Sequence, residues 1–469
     1  MGLDVALNYA LSGLTANQAQ LQVLSGNIAN AQTPGYSEES LAQTSDPSTN
    51  GGAGVVTGDI QRTTDVALQK TLLGQTTISG AASALNSFQQ QIQSLLGQVG
   101  SGSGVGTALN NFAAALQTVS TTPQDPVAQS NAVNAGQQLA QQLNDLSSGI
   151  QTVRQGADTQ LGTDVGTLNT AISTIGQLNS QISSLQAQGQ PTDTLEDQRD
   201  QALAQIASLI GVQSFTLADG TMTVMTTQGQ LLVNGGTVNQ FGYTPSGVVT
   251  ATTALSPLTL NGVNVTSQTT TGEIGALLQV ENTTLPAMTT QLNEFTNNLF
   301  NLSSTPALGT TNSGLGATND ANDFFAAVNI AGGVDNAATI TVNPSLVANP
   351  GLLDGNAGAP DPSITATLSS NIQGTAAFAA AGSIPATTTT LSSYIGQIVG
   401  AAATAAANAT SSANDQSALL NQMQSQYSSA TGVDLDTELS QLVVYQNAYS
   451  ASARVVETVQ TMYQALMSE

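Results

Sequence analysis

Between residues 3 and 31, Leu7, Leu14, Leu21 and Ile28 recur every seven positions, with Ala10, Asn17, Leu24 and Ala31 each three further on. Two positions in seven make a narrow stripe on an α-helix, the seam along which one helix packs on another. The same stripe would also suit an amphipathic helix packed inside one domain. The helix is predicted to stop near Asn30, because Thr-Pro-Gly-Tyr follows at 33–36. Pro34 and Gly35 suit the two central positions of a type II turn. The other end of the chain repeats the pattern. Leu435, Leu442, Tyr449, Val456 and Tyr463 share one heptad position, and Tyr445, Ser452, Val459 and Leu466 share the other.

The segments between divide by period. Residues 1–62 read as a helix followed by an extended arm or a β-hairpin around Asn50-Gly51-Gly52. Helical spacing fills 63–210, broken by the Gly/Ser stretch at 100–106, with bends expected near Gly156 or Gly162. At 211–272 β-formers cluster around Asp219-Gly220 and Asn234-Gly235, which are hairpin-type turns, so a β domain is inserted here. Helix returns at 273–302. Residues 303–390 mix irregular chain with short strands, one at 338–342, and helices close the chain at 391–430 and 431–469. The fold class is therefore mainly α with inserted β domains, in several domains.

Composition narrows what such a chain can do. Charged residues are 7% of 469, against the usual ~25%. The cations are Arg62, Lys70, Arg154, Arg199 and Arg454, and the net charge is -24. No basic patch can form, so neither nucleic acid nor an anionic membrane is an expected partner. With no His and no Cys, thiolate nucleophiles, imidazole bases and thiolate zinc sites are excluded. No cofactor or metal is expected. The start, MGLDVALNYALSGL, lacks the basic region and continuous apolar core of a cleaved secretory signal. No run of ~18 apolar residues is long enough to span a bilayer.

The sharpest chemical candidate is Asp193, Glu196, Asp197 and Asp200, at i, i+3, i+4 and i+7 along one helix face. Such a row could supply an acid and a base for glycoside hydrolysis, or ligate calcium. Against that, Asp193 can cap the helix while Glu196 closes a capping box, and Arg199 can pair with Asp193, Glu196 or a neighbouring segment. Sugar clefts also need aromatics, and this chain has no Trp. The structural reading is preferred, and the chain is read as not an enzyme. A secreted carbohydrate-active enzyme or adhesin is the alternative from another class. Asp434, Asp436 and Glu438 alternate like part of a calcium loop, but without its remaining ligands. Asp434 or Asp436 is expected to cap the last helix.

Three segments carry a resemblance. Asn27-Ile-Ala-Asn30 through Pro34-Gly35-Tyr36 resembles the N-terminal signature of bacterial flagellar rod, hook and hook-associated proteins. Gly432 through Leu442, continuing past Arg454 to Leu466, resembles their C-terminal helix. Asp193-Thr-Leu-Glu-Asp197-Gln-Arg199-Asp200 and the residues after it, with Gly272–Leu278 and Asp323-Phe-Phe325, are similar to one family, the first-type hook-associated proteins. That family joins hook to filament, and another axial protein of hook or rod type is the nearest alternative.

The resemblance implies a multidomain axial flagellar protein whose N- and C-terminal helices pair as an inner coiled-coil domain, with β domains outside. It implies packing between copies through Leu7, Leu14, Leu21, Leu24, Ile28, Leu435, Leu442, Tyr449, Val456, Tyr463 and Leu466. It also implies structural roles for Asn27, Asn30, Pro34, Gly35, Tyr36, Asp197, Arg199 and Asp200. The implied partners are further copies of the chain, the hook protein, the second junction protein towards the filament, and an export chaperone. The implied location is extracellular, reached by type III export without a cleaved signal.

Overall fold

The computed structural model describes residues 2–45, 54–97, 104–303, 323–326, 336–354 and 361–468. The expected turn at Asn50-Gly51-Gly52 lies outside the described residues, as does most of the Gly/Ser stretch at 100–106. In chain order, helix α1 (Gly2–Asn30) leads to strands β1 (Glu39–Ser45) and β2 (Val55–Arg62). Four helices follow: α2 (Val66–Leu96), α3 (Val105–Thr121), α4 (Pro126–Gln186) and α5 (Asp193–Leu209). Seven short strands come next: β3 (Val212–Thr216), β4 (Met222–Thr226), β5 (Leu231–Asn234), β6 (Thr237–Val238), β7 (Phe241–Gly242), β8 (Thr259–Leu260) and β9 (Val263–Asn264). Helix α6 (Gly272–Gln279) passes through a π-helical turn (Val280–Thr284) into α7 (Leu285–Ser303). The remainder is β10 (Phe325–Ala326), α8 (Asn336–Thr339), β11 (Thr341–Val342), α9 (Pro344–Ala348), α10 (Pro362–Gln373), β12 (Thr375–Phe378), β13 (Thr387–Thr390), α11 (Leu391–Thr431) and α12 (Leu435–Ser468). The fold is mainly helical with small inserted sheets.

The chain folds into two compact units, residues 1–79, 167–240 and 416–469 in one and 80–166 and 241–415 in the other. In the first, α1 and α12 pack together, and the antiparallel β1–β2 hairpin lies against α1. Strands β3-β4-β5-β6 form one antiparallel sheet in sequence order. Asn179 on α4 is fully buried and fastens two of the three hairpin turns of this sheet. It donates to Met222 O (2.7 Å) and Gly235 O (2.9 Å) and accepts from the Met222 N–H (2.9 Å).

The second unit is centred on apolar residues of α3, α4 and α7, among them Phe112, Leu116, Leu139, Leu143, Phe295 and Leu299. Phe112, Phe324 and Phe325 meet with ring centroids 4.8–5.5 Å apart, at edge-to-face or tilted angles that aromatic quadrupoles favour. Phe378 stacks on Tyr394 at 3.9 Å.

Four local expectations meet a different outcome. The β segment 211–272 forms two sheets, β3–β6 in the first unit and β7-β8-β9 in the second. The Asp-Gly and Asn-Gly turns specify hairpins but not which unit each hairpin joins. Of residues 338–342 only Thr341–Val342 is strand, paired with Phe325–Ala326, and Asn336–Thr339 is a helical turn. Helix α4 runs unbroken past Gly156 and Gly162. At Gly162 an added Cβ would lie 2.4 Å from Pro245 Cγ, so this glycine serves close packing rather than interruption. Residues 273–302 are two helices joined by the π turn rather than one.

Candidate assembly surface

The buried stripe of α1 is largely made of small and polar residues: Ala10, Ala16, Gln20, Val23, Leu24 and Asn27. Leu7, Leu14, Leu21 and Ile28 are half-buried at its edges. On α12 the buried residues are Glu438 and Val459, with Leu442, Tyr445, Ser452, Val456 and Tyr463 half-buried. Gly13 faces Ser452, and the Tyr463 hydroxyl donates to the Asp4 carboxylate. Leu435, Tyr449 and Leu466 are 39, 36 and 64% exposed. A seven-residue register drifts about 20° per heptad around a straight α-helix, so its members do not all stay on the seam.

At about 100° per residue, the seam residues of α12 cluster on one side. Val444, Val455, Met462 and Leu466 flank the seam on one edge, and Leu435, Leu439, Val443 and Tyr449 on the other. All eight are exposed. Polar Asp436, Ser440, Asn447 and Arg454 occupy the remaining side. The apolar arc is thus much wider than the strip that α1 covers. The exposed flanking residues other than Leu435, Tyr449 and Leu466 lay outside the heptad stripe drawn from spacing alone.

The link between α1 and β1 is a second constructed feature. The Tyr36 N–H donates to Thr33 O (3.2 Å), with Pro34 and Gly35 between them and Gly35 at φ 79°. That is type II turn geometry. Gln201 on α5 donates to Pro34 O at 2.9 Å, and a Cβ on Gly35 would lie 2.6 Å from Gln201 Nε2. Asn30 reaches back to Gly26 O (3.1 Å).

Fully buried Asn27 ties three segments together. It donates to Glu39 O (2.8 Å) and to the Glu438 carboxylate (3.3 Å). It accepts from the Glu39 N–H (3.0 Å) and the Tyr36 hydroxyl (2.9 Å). Burial, with Glu38 and Asp434 nearby, pushes the Glu438 carboxyl up against the Asn27 hydrogen bond. Asp434 caps α12, accepting from the Asp436 N–H at 3.0 Å.

Three of the four acids of α5, Glu196, Asp197 and Asp200, converge on Arg62, at the end of β2. Its guanidinium lies 3.0 Å from Glu196 Oε2 and 3.1 Å from Asp200 Oδ2, and pairs closely with Asp197. Burial alone would lower the Arg62 pKa, but Asp200, Asp197 and Glu196 outweigh it and raise it. Burial raises Asp200 despite Arg62, and it raises Asp193 as well. Asp197 also accepts from the Ser37 N–H (3.2 Å) and hydroxyl (3.1 Å), joining the α1–β1 link to α5. These carboxylates are occupied by a cation, not presented as an acid–base pair.

One expectation changes here, and another resolves among its alternatives. Thr192, not Asp193, holds the N-cap position of α5, and its hydroxyl donates to Glu196 (2.8 Å). Arg199 pairs with none of the acids. It is 2% exposed and donates to Gly220 O (2.6 Å) and Asn179 Oδ1 (3.2 Å). Of the alternatives for Arg199 it is the neighbouring segment that holds, and Arg62 takes the acids instead. No local spacing points to it, because 135 residues separate it from Asp197. Among the described residues no group of three or more acids is arranged to hold a metal ion, and no helix is long and apolar enough to cross a membrane.

Residues 89–325, just over half of the chain, match the family described as the flagellar hook-associated protein FlgK helical domain. The chain belongs to the FlgK family. Its ends match two further flagellar families. Residues 7–36 match the flagella basal body rod protein family, and 424–469 match the C-terminal region of basal body rod FlgEFG proteins. Flagellar hook-associated protein 1 of Salmonella typhimurium is 29% identical over 248 residues, 51% of this chain and 44% of that protein. The Escherichia coli K12 protein of the same name is 28% identical over 247 residues, 51% and 45% respectively. That of Bacillus subtilis is 27% identical over 225 residues, 45% and 43%. In these matches the chain spans somewhat under half of each FlgK relative's own length. The solved flagellar hook junction protein FlgK from Burkholderia pseudomallei is 27% identical, with a TM-score of 0.45 over 55% of this chain and 47% of that one.

Proposed function

We propose that this member of the FlgK family is a structural subunit of the bacterial flagellum at the junction of hook and filament, acting by packing and without catalysis. The observation that carries this reading is the apolar arc of α12, flanked on both edges by exposed Val, Leu, Met and Tyr beside a seam already filled by α1. Large apolar surface left uncovered on a helix pair is surface for association. Copies of the same chain are its first partners, through Leu435, Tyr449 and Leu466 and the half-buried Leu7, Leu14, Leu21, Ile28, Leu442, Val456 and Tyr463, whereas Leu24, expected among them, is enclosed within the single chain. The hook protein, the second junction protein towards the filament and an export chaperone complete the set. The subunit works outside the cell, exported without a cleaved signal, and needs no cofactor.

The match at 89–325 favours this reading over a rod or hook protein, since the matches at the two ends are to rod-type families. Electron microscopy of cells lacking the protein tests it. Hooks without filaments, restored by the intact chain, are expected. Normal filaments in the deletion strain would contradict it.

A further inference from the structure

In the second unit, a group of buried polar side chains takes no part in the surface just described. Asp158 of α4 is fully buried and Glu281, in the π turn, is 1% exposed. Both lie against the Tyr243 hydroxyl. Tyr243 hydrogen-bonds closely to Asp158 Oδ1 and lies 3.1 Å from Glu281 Oε1. A phenol carries one proton and can donate to only one of these oxygens. The other contact needs a proton from a carboxyl group. Asp158 is already committed as an acceptor, its second oxygen taking the Ser246 N–H at 2.6 Å.

Nor does a cation neutralise the pair. Arg154, one turn along α4, directs its guanidinium to three backbone carbonyls. These are Glu281 O (3.1 Å), Thr250 O (3.0 Å) and Thr253 O (3.4 Å). The remaining Glu281 oxygen, Oε2, is buried without a hydrogen-bond partner.

From this geometry we infer that Glu281 is a buried proton-binding site: its carboxyl is protonated in the folded unit and donates to Tyr243, while Tyr243 donates to Asp158. Losing that proton sets two buried carboxylates against each other, so the site makes the packing of the π turn on α4 sensitive to pH. Glu281 is faced by Asp158 and Arg154 from α4 and by Tyr243 from the segment after β7. Glu273, at the head of α6, faces Asp164 instead.

The electrostatics of the pocket agree. Burial pushes Glu281 up to about 7, with Asp158 adding to the rise, against the Tyr243 hydrogen bond and Arg154. Between the ordinary glutamate value and about 7, the folded chain holds a proton that the unfolded chain has released. Stability from this site is therefore full at low pH and is lost as pH rises through that window.

Glu281→Gln, which keeps the shape and a donor but cannot ionise, tests this in the full chain. Melting temperatures are compared at about pH 5 and about pH 8. Other acids that burial raises, such as Glu273 and Asp164, act alike in both proteins, so the difference reads Glu281. Wild type is expected to lose at least about 2 °C more than the variant over this range. Parallel behaviour would overturn the proposal. Carbon-13 NMR of the glutamate carboxyls reads the site without altering it. In Glu273→Gln one glutamate should still titrate near neutrality, and if none does, the assignment of the proton to Glu281 fails.

Discussion

Helices α4 and α12 draw on the same apolar residue types at three- and four-residue spacing, yet they meet different fates. Along α4, Leu143, Leu161, Leu168, Ile172, Ile175 and Ile182 are completely enclosed. Along α12, among the described residues, only Glu438 and Val459 are buried. Helix α4 carries side chains that bond to elements on several sides: Asn144 to Ala337 O, Arg154 to the π turn, Asn179 to two hairpin turns. Helix α12 packs on α1, whose contribution includes Ala10, Gly13 and Ala16. Burying a Val, Leu or Met is worth about 1.5–3 kcal/mol. The helix within the core realises that in the single chain, whereas the flanks of α12 hold it in reserve. Periodicity identifies a face but does not say whether its partner lies in the same molecule.

Perturbing each side separately sharpens this contrast. The largest effect on the single chain is expected from Arg62→Ala, which strips the cation from Glu196, Asp197 and Asp200. Breaking such a group from one side costs about 3–5 kcal/mol, and Asp200→Asn in the same chain should recover part of the loss. Urea titration reads both, and an unchanged midpoint in Arg62→Ala would mean the acids do not need their cation. Asn27→Ala comes next. It removes a fully buried hub and leaves Glu438 and the Glu39 backbone unpaired, at about 1–3 kcal/mol for each orphaned group. Hydrogen exchange should then rise in α1 and in the first turns of α12 while the residues of α4 keep their protection. A uniform loss across the chain would contradict a local clasp. Gly35→Val places a side chain at φ 79° against Gln201 and should cost about 1–3 kcal/mol. Wild-type melting and assembly would refute the turn's importance.

Much of the fold is legible in the sequence. The first helix is expected to end near Asn30 and does so, because Pro34 and Gly35 cannot continue it. The long helices at 126–186 and 193–209 follow from their Leu and Ile spacing. Other features depend on distant partners. The burial of Glu281 in the π turn at 280–284 depends on Tyr243, 38 residues away, which no local pattern encodes. Asn179 is one amide in a Ser- and Asn-rich helix, and its spacing does not distinguish it from its exposed neighbours. Arg62 is one of five cations, and scarcity was a usable signal. With so few positive charges, a cluster of three partly buried acids has few cations to draw on, and Arg62 ends the strand that folds back over the acids of α5.

The smallest expected effect on the single chain carries the largest consequence for assembly. Val443, Val444, Val455 and Met462 are 46–61% exposed, so changing them together to Ser should shift single-chain stability by no more than about 0.5 kcal/mol per site. The central claim is that this arc is covered only when other copies arrive. The most direct test is to supply the quadruple variant in a strain lacking the native chain and to image the hooks, alongside thermal melting of the purified protein. A wild-type melt with bare hooks and no filaments is predicted. Filaments of normal number and length on hooks capped by the variant would contradict the account.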